Sequence, residues 1–158
     1  MLKILRLQKE PFDAAAETSP LTAGRSDIGA LVTFTGLCRD EAGSLAALEI
    51  EHYPGMAEDE IDRVLIEACR RWPLEGMLVI HRHGLIDAGD PIVLVATASK
   101  HRHEAFAAAE FLMDYMKSYA PFWKREHKRD GRIGDWVAAR EDDEAAAQRW
   151  GGAQAPLR

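Results

Sequence analysis

The feature that most constrains the fold is a helical pattern at residues 54–72, "PGMAEDEIDRVLIEACRRW". Acidic residues occupy its first turn and basic residues occupy its last, an order that suits the helix dipole. Its apolar side chains recur every three or four residues, at Ile61, Val64, Leu65, Ala68 and Trp72. This spacing predicts an amphipathic helix with one face buried in a core.

Strand-sized apolar runs surround this helix. Residues 2–8 alternate as a strand, and residues 28–39 are apolar and β-branched enough for a core strand. The turn "DEAGS" is expected to join that strand to a second one, "LAALEIEHY", as a hairpin. Two more strands, "GMLVIHRHGLI" and "PIVLVATAS", flank the turn "DAGD", and a last hairpin is expected for "FWKREHK" and "IGDWVAA" around "RDGR".

Three further helices are predicted. A short one begins near Asp13, which is a good N-cap residue, and "REDDEAAAQRW" forms a terminal one. The longest runs from about residue 100 to 119, is capped by Ser99 and ends before Pro121. Its expected apolar stripe is Phe106, Ala109, Leu112, Met113 and Met116. Together the elements predict an α+β fold with a mostly antiparallel sheet, as one domain over residues 1–150 with a mobile tail at 151–158.

The composition narrows the possible functions. The apolar runs are too short for a transmembrane helix, and no signal peptide is recognisable, so we expect a cytoplasmic protein. Cys38 and Cys69 lack the spacing of a zinc site or a disulfide framework. Residues 100–132 carry eight Lys and Arg against five Asp and Glu, a local charge of +3 that leaves −9 elsewhere from the total of −6. This acidic remainder disfavours nucleic acid but permits a focused site for a small anion.

The basic and aromatic stretch "APFWKREHKR" holds the first candidate residues. It could bind nucleic acid, bind an anionic small molecule, or form a solvated strand. Lys117 lies at the border of the apolar stripe, where a buried stem could place its amine in a cleft as a base or nucleophile. Lys124 follows seven residues later across Pro121, so a bend from helix to strand could bring both amines together. A snorkelling surface lysine is the simpler interpretation of Lys117.

Other cations could complete an anion pocket. His101 and Arg102 open the long helix, where free N–H groups favour an anion, and Arg39 follows a strand. The simpler interpretation is a set of separate surface charges. The histidines have no metal-site spacing, and phosphate-binding glycine loops are absent from the sequence. Cys38 could be an activated thiolate, although a small core residue is the more ordinary interpretation.

Six stretches together resemble the large, catalytic subunits of molybdopterin synthase, the MoaE family. They are "VTFTGLCRD", "LEIEHYPGMAEDEI", "RRWPLEGMLVIHRHG", "GDPIVLVATASKHRHEAF", "FLMDYMKSYAPFWKRE" and "WVAARE", in that order from about residue 30 to 141. The resemblance implies an α/β hammerhead-type fold and a central homodimer. A small ubiquitin-like sulfur carrier would dock at each end to give a heterotetramer. The carrier's C-terminal Gly-Gly thiocarboxylate would deliver sulfur to cyclic pyranopterin monophosphate and form the dithiolene of molybdopterin.

The resemblance also assigns roles to residues at matching positions. Lys117 in "MDYMK" and Lys124 in "PFWK" match the two catalytic lysines. Positions that contact the pterin are matched by Leu37, Cys38, Arg39, His101, Arg102, Arg125 and Glu126, and positions around the pocket by Phe34, Met113 and Arg140. His101 and Arg102 would reach the site from the other protomer. No metal and no cofactor are expected.

Two other functions remain open at the level of sequence. The same fold could be a non-catalytic module that binds an anion or docks a partner without turnover. Phe122, Trp123 and the basic run could instead bind single-stranded nucleic acid, which requires an extended cationic groove. The combination of Lys117 and Lys124 with the other cations favours the enzyme.

Overall fold

The computed structural model describes residues 1–137 and 141–151, with the backbone alone for 141–144. The strands are β1 (Leu2–Gln8), β2 (Ala30–Leu37), β3 (Leu45–His52), β4 (Leu74–Arg82), β5 (Gly84–Asp87), β6 (Pro91–Ser99) and β7 (Phe122–Lys128). The helices are α1 (Ala14–Thr18), α2 (Met56–Arg71), α3 (Arg102–Ser118) and α4 (Glu141–Gln148), and a 3-10 turn covers Ser19–Leu21. The expected mobile tail lies outside the described residues except for Gly151.

The strands form two sheets. One has the order β1-β4-β6-β2, with β1 parallel to β4 and the other pairs antiparallel, and the other has the antiparallel order β5-β3-β7. Strands β4 and β6 are almost wholly buried, as expected for continuous apolar runs at the centre of a sheet. The predicted α+β class with a mostly antiparallel sheet is confirmed.

Helices α2 and α3 pack against one another beside these sheets. The predicted face of α2 is confirmed, since Ile61, Val64, Leu65 and Ala68 are buried. The backbone N–H of Gly55 donates to the Glu58 carboxylate at 2.7 Å, which caps the start of the helix. The hydroxyl of Tyr115 on α3 donates to Glu60 on α2 at 2.8 Å, so a polar contact also joins the two helices.

The expected hairpin of β2 with β3 is wrong, because the two strands belong to different sheets. Strand β2 pairs with β6, and β3 pairs with β5 and β7. The end of β2 is held by the turn at residues 87–90 instead: the N–H of Cys38 donates to Asp90 at 2.8 Å, and the N–H of Gly89 donates to Cys38 at 2.6 Å. Strand β2 is also an edge strand with Phe34 and Leu37 exposed, so it is not the predicted core strand.

Two other predictions need correction. The expected strand at residues 76–86 is broken before Gly84, whose φ of 83° starts β5 in the second sheet. Ser99 is the last residue of β6 and donates its hydroxyl to the Pro73 carbonyl at 2.9 Å, so it does not cap α3. The N-cap residue of α3 is His101, which makes no side-chain capping bond.

The remaining elements follow the sequence more closely. Asp13 caps α1 by accepting from the N–H groups of Ala15 and Ala16, and α4 occupies the predicted terminal helix. The expected hairpin after β7 is reduced to two isolated bridges within residues 1–137, Lys124 with Val137 and His127 with Ile133. Among the described helices, none is long and apolar enough to cross a bilayer.

Candidate functional site

Two lysines from the consecutive elements α3 and β7 share one small pocket. Its volume is about 40 Å³, and it lies where α3 and β7 approach the strands of the larger sheet. The lining residues are Gly36, Leu37, His81, Ile92, Val93, Met113, Met116, Lys117 and Lys124. The pocket is therefore apolar except for two amines and one imidazole.

The short connection between α3 and β7 explains how the amines of Lys117 and Lys124 come to the same pocket. Lys117 lies in the last turn of α3, one turn after Met113, and the helix ends at Ser118 just before Pro121. The Phe122 N–H then donates to the Ala120 carbonyl at 2.8 Å, and the chain leaves as β7. Phe122 is buried, and Lys124 lies two residues later on the same face of the strand. A helix stop followed by a strand thus places both lysines at the pocket.

His81 is a pocket residue that sequence reasoning considered only as a metal ligand. It is 4% exposed near the end of β4, and its ring stacks on Phe122 with 4.0 Å between centroids. Burial lowers the pKa of His81 to about 3, with smaller contributions from the nearby charges of Lys124 and Lys117. The sequence signal for a pocket role is the position of this histidine near the end of a mostly apolar strand.

The end of β2 forms another wall of the pocket. Gly36 fits closely there, because a Cβ atom at this position would lie 2.7 Å from Cγ1 of Val93. The pairing of β2 with β6 is irregular between Gly36 and Leu37, and Leu37 is exposed beside the pocket. Phe34 is also exposed on this edge strand but does not line the pocket.

Cys38 and Arg39 follow β2 but have different surroundings. The Cys38 thiol is buried in the main core, and this burial raises the thiol pKa. That environment is the opposite of the one that activates a thiolate. Arg39 is a surface residue with a side chain 74% exposed, and it pairs with Glu41. Neither residue lines the lysine pocket.

Arg125 and Glu126 flank Lys124 in sequence but make other contacts. Arg125 donates to Glu49 at 2.6 Å and lies over the Trp136 ring at 4.4 Å. The side chain of His127 also donates to Glu49, and these two bonds lower the Glu49 carboxyl pKa. Glu126 pairs with Lys128 at 2.6 Å. These side chains form a charged surface beside the pocket rather than its wall.

His101 and Arg102 lie at a second, wider concavity on the N-terminal half of α3. It has a volume of about 540 Å³ and is lined by His101, Arg102, His103, Phe106, Ala107 and Glu110. Phe106 is 62% exposed, so its predicted place in the buried stripe is wrong. The predicted Ala109, Leu112 and Met116 are buried, and the rest of the buried face consists of Ala105, Ala108, Phe111 and Tyr115. Within one chain, His101 and Arg102 are not brought to the lysine pocket.

Two further predictions for the site concern Arg140 and a bound metal ion. Arg140 lies outside the described residues. Among the side chains that the structure describes, which exclude those of residues 138–144, no group of three or more His, Cys, Asp or Glu is placed to hold a metal ion. The charged groups that line the pocket are the amines of Lys117 and Lys124.

Comparisons with known proteins agree on one family. The sequence profile described as "MoaE protein" matches residues 7–119. A protein of Mesorhizobium japonicum named "Molybdopterin synthase catalytic subunit" is 62% identical over 146 residues, which cover 92% of this chain and 92% of that protein.

Solved structures extend the agreement to the fold. The "Molybdopterin biosynthesis MoaE protein" of Burkholderia ambifaria is 46% identical, with a TM-score of 0.81 over 95% of this chain and 99% of that one. A structure titled "Molybdopterin Synthase" from Staphylococcus aureus is 30% identical, with a TM-score of 0.72 over 84% of this chain and 95% of that one.

Proposed function

This chain belongs to the MoaE family, and from that premise we propose that it is the catalytic subunit of a molybdopterin synthase. It transfers sulfur from the C-terminal thiocarboxylate of a small ubiquitin-like carrier to cyclic pyranopterin monophosphate. Two such transfers give the dithiolene of molybdopterin. The free thiols Cys38 and Cys69 fit a reducing compartment, and we place the reaction in the cytoplasm.

The observation that carries this proposal is the pairing of Lys117 and Lys124 in an otherwise apolar pocket. A thiocarboxylate and a phosphate are both anions, and they must approach one another for sulfur to reach carbon. Lys117 is exposed and Lys124 is half-buried at this pocket, so both amines can reach a bound anion and neutralise part of its charge. The two amines can therefore hold the reacting groups together.

The narrowness of the pocket supports a carrier with a Gly-Gly terminus. A volume of about 40 Å³ excludes a bulky side chain but suits an extended glycine chain, whose backbone can approach closely. Leu37 lies exposed at the wall and Phe34 on the same strand, where they can contact the body of a partner protein. The carrier would thus dock on the surface while its tail enters the pocket.

Lys117 and Lys124 are assigned different tasks. Lys117 transfers a proton or polarises the reacting centre, for which an amine near the reacting atoms is suited. Lys124 holds the phosphate or the carboxylate that the carrier regains after transfer. Met113 contributes an adaptable apolar wall between α3 and the reacting groups.

The other predicted residues are assigned to the rim of the site. Arg39 is exposed and can turn from Glu41 to a phosphate, and Arg125 and Glu126 contribute charge on the β7 side. Cys38 has its thiol in the core and both main-chain groups bonded to the turn at 87–90. We therefore assign Cys38 the support of Leu37 and Arg39 rather than contact with the pterin. Arg140 is retained as a rim residue from the family resemblance alone.

The second concavity fits an assembly of two copies of this chain. His101 and Arg102 are separated from the lysine pocket of their own chain, so they would act in the pocket of the other copy. Exposed Phe106 between them and Glu110 offers an apolar contact for that interface. A homodimer with one carrier at each end is the heterotetramer that the family resemblance implies.

Reconstitution tests the proposed function directly. The purified chain is mixed with a thiocarboxylated carrier and cyclic pyranopterin monophosphate, and dithiolene product is measured by mass spectrometry. We expect product from the wild type and almost none from Lys117→Ala. A folded chain that binds the carrier and the pterin but forms no product would support the non-catalytic docking module instead.

A further inference from the structure

His81 is held in one orientation by contacts with its own strand β4 and with β7. Its Nδ1 lies 2.8 Å from the Arg82 carbonyl oxygen, and its ring is stacked on Phe122 of β7. Arg82 is itself buried and donates to the carbonyls of Lys9 at 3.1 Å and Pro91 at 3.0 Å. The end of β4 is therefore fixed to the neighbouring segments, and the imidazole is fixed with it.

This contact determines which nitrogen of His81 carries the proton. A carbonyl oxygen only accepts hydrogen bonds, so Nδ1 must be the donor. In a neutral imidazole the other nitrogen, Nε2, then has a lone pair and is an acceptor. Burial together with the positive charges of Lys117 on α3 and Lys124 on β7, and of His52 on β3 when protonated, disfavours a second proton on the ring.

Lys124 is the pocket lysine best placed to use this acceptor. Phe122 and Lys124 are two residues apart on β7 and thus point to the same side of the strand. Phe122 covers the face of the His81 ring, and Lys124 lines the same pocket as His81. Of the two pocket lysines, Lys124 also has the larger electrostatic effect on His81.

We propose that His81 is a positioning residue of the pocket, whose Nε2 accepts a hydrogen bond from the Lys124 ammonium and keeps that ammonium directed at the bound anion. Because the ring is neutral, it orients the lysine without adding a charge or cancelling one. A carboxylate in the same place would neutralise Lys124 and weaken its hold on the ligand. The effect on sulfur transfer rests on the proposed function, whereas the contact itself does not.

The contact is tested first without any activity measurement. Nitrogen NMR of the histidine-labelled full chain at pH 7 should show His81 protonated at Nδ1 and unprotonated at Nε2. Lys124→Met should shift the Nε2 resonance and raise the pH at which His81 titrates, because a nearby positive charge is removed. The matched control is Lys9→Met, since Lys9 acts on His83, and this variant should move the His83 signals alone. A proton on Nε2, or an Nε2 resonance indifferent to Lys124→Met, overturns the proposal.

The role in turnover is tested with His81→Phe, His81→Gln and His83→Phe. Phe keeps the ring stack but removes the acceptor, so single-turnover transfer at saturating carrier should fall about tenfold to a hundredfold, as for a misplaced reacting group. Carrier affinity should stay unchanged. Gln can place an amide oxygen near the Nε2 position and should recover part of the rate, and His83→Phe should behave as wild type.

The outcomes separate the two proposals. Folded His81→Phe protein with the wild-type rate constant overturns the positioning role, even where the NMR contact is present. A wild-type chain that forms no product contradicts the proposed function, and the NMR measurements then decide the His81–Lys124 contact alone.

Discussion

The two concavities of this chain differ in how they are built. The lysine pocket takes its walls from β2, β4, β6, α3 and β7, and it is small and mostly apolar. The concavity at His101 takes all its residues from the start of α3, and it is wide and carries an exposed Phe106. A pocket made by five elements has its geometry fixed by the core of one chain. A surface made by one helix needs a second molecule to enclose a ligand.

This difference separates the two groups of candidate residues. Lys117 and Lys124 can act on a ligand within a single chain, because folding brings them together. His101 and Arg102 can join them only through an assembly. Substitutions in one concavity at a time therefore test whether the lysine pocket carries the chemistry and the His101 concavity acts through the assembly of two chains.

Replacing Lys117 in the pocket should have the largest effect on sulfur transfer. Lys117→Ala should lower single-turnover sulfur transfer by about a hundredfold or more, the usual range for loss of a proton-transferring group. Lys117→Arg should be nearly as inactive, because a guanidinium does not release a proton near neutral pH. The control is Lys3→Ala, which removes a surface lysine paired with Asp62. Wild-type turnover by Lys117→Arg would show that position 117 needs only positive charge.

The shared site can be tested by mixing inactive protomers. Lys117→Ala and Arg102→Ala damage the same site from different chains if the dimer is arranged as proposed. Unfolding and refolding them together should restore roughly a quarter of the wild-type sites, because half of the dimers are mixed and each contains one intact site. Activity is measured after refolding, with each variant refolded alone as the control. Failure to recover activity, with mixed dimers present by native mass spectrometry, would assign both residues to one chain's own site.

The helical features of the molecule can be predicted from the sequence, because they depend on residues that are close together in the chain. The stripe of Ile61, Val64, Leu65 and Ala68 repeats at helical spacing, so α2 was predicted with its correct face. The stop at Pro121 likewise suggested that Lys117 and Lys124 could meet. Both inferences depend on residues within about two turns of one another, where backbone geometry limits the alternatives.

The parts that failed depend on partners far away in the chain. Helix α3 is rich in alanine, so a face through Phe106 and a face through Phe111 are both possible, and packing selects Phe111. The sequence indicates β2 as the partner of β3, yet β3 pairs with β7 at least 70 residues later, as in His52 with Phe122 (122 − 52 = 70). His81 on β4 stacks on Phe122 of β7, a contact between distant parts of the chain that the sequence around His81 does not indicate.

A methyl group added to the pocket wall should have a moderate effect on stability. Gly36→Ala places a Cβ atom 2.7 Å from Cγ1 of Val93, and a β-branched neighbour has little freedom to move away. We expect a loss of about 1–3 kcal/mol in the free energy of unfolding, the usual cost of overpacking, measured by urea denaturation. Val93→Ala removes the clashing methyl, so the double variant should be more stable than the two single losses predict. Additive losses would mean that Gly36 is required for its backbone instead.

Acidification should change stability by an amount similar to the added methyl group, and it isolates His81. The pKa of His81 falls from 6.5 to about 3 on folding because the neutral ring is buried. The unfolded chain therefore takes up a proton at His81 more readily than the folded chain does. As a result the free energy of unfolding is unaffected by His81 well above pH 6.5 and decreases progressively as the pH falls towards 3. Between pH 7 and pH 5 the free energy of unfolding of the wild type should fall by about 2 kcal/mol more than that of His81→Phe, measured by urea denaturation at equal protein concentration.

The control is His83→Phe. The pKa of His83 is also lowered, but His83 is less buried than His81, so this variant should keep most of the wild-type pH dependence. Equal pH dependence in wild type and His81→Phe would mean that the folded chain accepts a proton at His81 as readily as the unfolded one. The pocket would then gain a third positive charge in mild acid, and His81 could not serve Lys124 as a neutral acceptor.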